Sequence, residues 1–90
     1  MAPLKYVFDR PYVDPGKAAR KIMEIANGLE PYMDHRLLIE RLNEPMLFEF
    51  KATPAEWNAG LDCAIERGWL VLHESGTYAR FTQAGMDLFA

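Results

Sequence analysis

Two histidines, His35 and His73, and one cysteine, Cys63, are the side chains best suited to ligate a metal or attack a substrate. They fall on three different expected elements and lack the short ligand spacing that zinc sites require. Glu66 follows Cys63 by one helical turn, where its negative charge opposes the thiolate that nucleophilic chemistry needs. Neither a glycine-rich phosphate loop nor a nucleophile elbow occurs. The chemistry expected is therefore that of a binding surface, with no catalysis, no metal and no cofactor.

Charge sets the terms of that binding. The chain carries a net charge of −3, unevenly spread. Residues 1–21 hold Lys5, Arg10, Lys17, Arg20 and Lys21 against Asp9 and Asp14, a net of +3. The rest holds five basic and eleven acidic side chains, a net of −6. A duplex-binding domain ordinarily presents a basic stripe, because Lys and Arg release counterions from phosphates. Only the start of this chain offers a modest one.

The elements that position these groups read from caps and periodicity. Asp14 and Pro15 open a helix whose apolar stripe is Ala18, Ile22, Ile25, Ala26 and Leu29, with Lys17, Arg20 and Glu24 outward and Gly28 at its end. A second helix is predicted over 34–44, started by Asp34 and stopped by Pro45, with Leu38, Ile39 and Leu42 inward. "MLFEFK", Met46 to Lys51, reads as a short strand. Thr53, Pro54 and Glu56 form the capping-box signature of a third helix, about 54–67, burying Trp57, Leu61, Ala64 and Ile65. Gly68 ends it. "WLVLHE" and "TYARFT" are then two strands around Ser75-Gly76, and "QAGMDLF" is a short last helix capped by Thr82. Leu70 and Leu72 are expected on one side of the first strand, and Leu88 and Phe89 are expected to close the core. Residues 1–14, with "KYVFDRPYVDP", are expected to be an extended arm laid on a domain of residues 15–90.

Ninety residues, half of them hydrophobic, suit one small soluble α+β domain. No run approaches the roughly 20 apolar residues of a membrane span, and "MAPLKYVFDRPYVDPG" lacks the order of a signal peptide. One cysteine makes no internal disulfide, so a cytoplasmic location without membrane contact is expected.

From Ala64 onward, "AIERGWLVLHESGTYARFTQAGMDLF" resembles the second half of many bacterial winged-helix transcriptional regulators: helix, "GL-I", a wing, then "L-T-x-x-G". The resemblance covers about residues 53–90. It implies three main helices, a C-terminal hairpin wing around Ser75-Gly76, a short terminal helix, and a recognition helix at 54–67. It also implies association with double-stranded DNA, with Asn58, Arg67 and Arg80 near the duplex and Lys17, Arg20 and Lys21 on phosphates.

The helix's own outward face speaks for another partner. With Trp57 and Leu61 inward it presents Ala55, Ala59, Asp62, Cys63 and Glu66, flanked by Glu56, where base reading calls for Arg, Lys, Asn or Gln. Such an acidic, small-residue face suits a basic protein partner or close approach within a homodimer. The aromatic arm at 6–12 offers a second such surface. Arg80 also has a plain alternative, a solvated strand residue paired with Glu74, and Lys17 and Lys21 have one in pairing with Glu24 or other acids.

Overall fold

The structure is a computed structural model that describes residues 10–30 and 35–90. Asp14 caps helix α1, Pro15–Gly28, by accepting from the Gly16 N–H at 2.8 Å, and Pro15 occupies the first position. Ala18, Ala19, Ile22, Met23 and Ala26 form its buried stripe, with Ile25 and Leu29 half-buried at the margin. Strand β1, Leu37–Leu38, leads directly into helix α2, Ile39–Glu44. A wide π turn over Pro45–Glu49 extends α2, and helix α3 spans Pro54–Glu66. Strands β2, Leu70–Leu72, and β3, Tyr78–Phe81, form a hairpin, and helix α4 covers Gln83–Asp87. The fold is thus α+β, and the described residues form four α-helices and a three-stranded antiparallel sheet ordered β1-β3-β2.

The middle of the chain departs from the sequence expectation. The helix placed over 34–44 starts only at Ile39, and Leu37–Leu38 is strand; Asp34, its expected cap, lies outside the described residues. Nor does Pro45 stop the helix. Its ring fits the helical φ of −60° but supplies no N–H and crowds the carbonyl four residues earlier. The chain answers by widening, with Phe50 N–H donating to the Pro45 carbonyl five residues back. "MLFEFK" is therefore helical rather than strand, and it buries Met46 completely beside Leu42. Lys51, at φ +60°, then reverses the chain toward Thr53.

α3 packs across α1 at Gly60. A Cβ there would sit 2.7 Å from the Ala18 Cβ, so glycine against alanine lets the two backbones meet. Trp57, Leu61 and Ala64 are buried in that contact, and Ile65 is half-buried beside them. The full capping box at Thr53 and Glu56 is present. Gly68, at φ +76°, turns the chain out of α3.

The "T-x-x-G" spacing also has a local cause. Thr82 Oγ1 accepts from the Gly85 N–H and donates to the Gly68 carbonyl, fastening α4 to the end of α3. A Cβ on Gly85 would overlap the Trp69 carbonyl oxygen.

One expected core residue and the arm need correction. Leu70 and Leu72 share one side of β2, Leu72 opposite the buried Ala79, but Phe89 is exposed, while Leu88 packs half-buried. Most of the expected arm, with Tyr6 and Phe8, lies outside the described residues. Its described end, Pro11–Val13, is a single 3-10 turn rather than extended chain. Tyr12 packs edge-on to Phe50 there, at 6.4 Å between ring centres.

Candidate nucleic-acid interface

Side chains alternate across a strand, so β3 sends Ala79 into the core and turns Tyr78 and Arg80 outward. β2 likewise buries Leu70 and leaves Val71 59 % exposed, opposite Arg80. One step beyond β2, the His73 N–H donates to the Tyr78 carbonyl at 2.9 Å. The His73 imidazole therefore stacks on the Tyr78 ring, with centroids 4.4 Å apart and 17° between planes. On the other side, β1 pairs Leu37 with Ala79, which brings Arg36 to the edge of the same face.

Tyr78 is the centre of this face. The Arg36 guanidinium carbon lies 4.6 Å from its ring centroid and that of Arg80 5.5 Å. Cations over an aromatic face gain from the ring quadrupole. Neither arginine has a carboxylate within ion-pair distance among the described residues; the two ion pairs there are Arg10–Glu56 and Lys21–Glu24. The expected pairing of Arg80 with Glu74 does not form. The Arg36 Nε is shut from solvent and finds no acceptor among the described residues.

The hairpin tip is braced by its own polar groups. His73 Nδ1 accepts from the Ser75 N–H at 3.1 Å and contacts Ser75 Oγ at 2.8 Å. Ser75 Oγ in turn contacts Thr77 Oγ1 at 2.8 Å, and Gly76 turns at φ +76°. With Nδ1 accepting from the backbone, the neutral imidazole carries its proton on Nε2.

The other predicted contact residues are not gathered at this face. Lys17 and Arg20 are exposed on α1. Lys21 donates to Glu24 at 2.8 Å and lies 4.7 Å from the Phe50 centroid. The Glu24 hydrogen bond holds its ammonium above the ordinary lysine range, partly offset by burial. Arg67 stacks over Trp69 at 5.2 Å and leans on the start of α1, close to Gly16. Asn58 is exposed on α3.

On α3, Ala55, Ala59, Asp62 and Glu66 are exposed as expected. Cys63 is not: it is half-buried and packs against the core. Glu56 is also withdrawn from that face. One of its oxygens accepts from the Thr53 N–H at 2.9 Å, and both accept from Arg10, at 2.8 and 3.2 Å. Desolvation pushes its carboxyl upward, but the Thr53 and Arg10 bonds prevail and hold it below the ordinary glutamate range.

Arg36 and Arg10 are the residues that sequence reasoning missed. Each acts through a partner far along the chain, Tyr78 and Glu56, and no local pattern marks either. The alternation of Tyr78 with Arg80 was visible in the strand, but not the ring's role as a platform.

No family model, curated protein or solved structure matches this chain. Among the described residues, no helix is long and apolar enough to cross a membrane, and no three His, Cys, Asp or Glu side chains gather as a metal site would need.

Proposed function

We propose that this chain is a non-enzymatic, cytoplasmic domain of the winged-helix kind that binds double-stranded DNA in the manner of a transcriptional regulator. The observation that carries the reading is the chain path: helix, strand, then a helix pair, then a hairpin whose second strand pairs with that early strand, in the order β1-β3-β2. The path puts an exposed hairpin immediately after α3. Arg80 on that hairpin has no ion pair among the described residues, which leaves it available to a phosphate. The test is fluorescence anisotropy of a labelled random-sequence duplex across a salt series. Binding should weaken linearly in log–log form, and Arg80→Ala should reduce the slope by about 1 on every sequence tried. Absence of binding at low salt would overturn the reading.

A second reading has its own support. Ala55, Ala59, Asp62 and Glu66 stay exposed on α3, and neither acid has an ion pair among the described residues. In this reading the face meets a basic protein or a second copy. Charge reversal at Asp62 and Glu66 should then break a complex while leaving the fold intact; indifference removes that surface.

A further inference from the structure

We propose that the outer face of the sheet, built by Arg36, Tyr78, Arg80 and His73, is the place where this protein grips the sugar–phosphate backbone of a duplex. The inference rests on the DNA-binding reading and moves the contact off α3. It also adds a residue, Arg36, from outside the hairpin.

Charge is left over on this face. Arg36 and Arg80 both lie over a single phenol ring, 4.6 and 5.5 Å from its centroid, with no carboxylate paired to either among the described residues. The ring quadrupole draws two like charges into one spot without neutralising them. A phosphodiester supplies what is missing, since it is a single negative charge with two unesterified oxygens that planar guanidiniums can share. A carboxylate-bearing protein would meet the same charges. The two arginines, however, come from neighbouring segments of the sheet, Arg36 just ahead of β1 and Arg80 on β3, and the imidazole stacks 4.4 Å from the Tyr78 ring. That suits a regular anionic backbone run across strands better than a single side chain. α3 offers the opposite, with Asp62 and Glu66 exposed. Tyr78 acts as a positioning residue, with both guanidiniums placed over its ring.

The experiment compares wild-type protein with Arg36→Gln, Arg80→Gln, the double variant, and a Lys17→Gln/Arg20→Gln control, on the same labelled duplex over a salt series. Melting curves verify folding. Each sheet arginine removed should lower the log–log salt slope by about 1, and the double variant by about 2, with no dependence on duplex sequence. Arg80→Lys, which keeps the charge, should restore most of the slope. Tyr78→Leu should weaken binding with both arginines still present, whereas Tyr78→Phe should bind like wild type. If Arg36→Gln does not fold, Arg80→Gln and Arg80→Lys decide the matter, because Arg80 is exposed. Wild-type affinity and slope in the double variant, with loss in the α1 control, would overturn the sheet-face site and leave the DNA reading standing. No duplex binding by wild-type protein would overturn both. Equal loss with an acidic polypeptide as competitor and no loss with duplex would assign the face to protein instead.

Discussion

At the scale of single residues, Glu56 holds three things together. Its carboxylate closes the capping box on Thr53, neutralises Arg10, and so ties the chain ahead of α1 to the first turn of α3. A carboxylate at a helix N-terminus also meets the positive end of the helix dipole. Because the folded carboxyl sits below the ordinary glutamate range, its contribution is complete above that range and is lost as pH falls through the lowered value. Glu56→Gln should therefore flatten the acid side of the stability profile below about pH 4.3 and cost little change in slope at neutral pH. Chemical denaturation at a series of pH values measures this. An acid limb as steep in Glu56→Gln as in wild type would show that the pair contributes nothing through its charge. Thr53→Ala removes the other half of the box and should cost about 1 kcal/mol at any pH.

At the scale of elements, close approach competes with helix propensity. Glycine in a helix interior is about 1 kcal/mol less favourable than alanine, so propensity alone predicts that Gly60→Ala stabilises α3. The crossing with α1 predicts the reverse, because the new Cβ would lie 2.7 Å from Ala18 Cβ and 3.1 Å from Ile22 Cδ1. Overpacking of this kind costs about 1–3 kcal/mol, which outweighs the propensity gain. Gly60→Ala should then melt lower than wild type by several degrees, about 4–8 °C per kcal/mol for a domain of this size. A higher melting temperature would mean that α1 and α3 stand further apart.

The same competition explains what could be read from the chain. α1, α3, the hairpin and α4 were legible because each carries its own start or stop: Asp14-Pro15, Thr53-Pro54-x-Glu56, Gly68, Gly76 and Thr82. β1 was not, since two residues have no periodicity of their own and take strand form only by pairing with β3. In sequence Pro45 reads as a stop because it lacks the helical N–H, and "MLFEFK" reads as a strand because it alternates apolar and polar near its end, whereas the π turn absorbs the proline. The candidate site shared that limit. Arg80 was legible on its strand, while Arg36 joins it only through β1, the element that local signals did not disclose.

At the scale of the whole molecule, the proposed duplex binding raises the question of how a chain of net charge −3 would hold a polyanion. Exposed charges further apart than about 10 Å are largely screened at 0.1 M salt, so local grouping outweighs the total. The sheet face groups Arg36 and Arg80, neither in an ion pair among the described residues, while α3 groups Asp62 and Glu66. If the duplex rests on the sheet with the acidic face of α3 turned away, neutralising that face changes only the long-range repulsion. Asp62→Asn with Glu66→Gln should then tighten duplex binding at low salt, and the gain should shrink to within about twofold near physiological ionic strength. If α3 instead lies in the groove, the two carboxylates sit against phosphates and bases. Their removal would then strengthen binding at every salt concentration and change which sequences are preferred. Titrations of the double variant on two unrelated duplexes at low and physiological salt separate these outcomes. A gain that persists at the higher salt would return α3 to the duplex and take the sheet face out of the leading role.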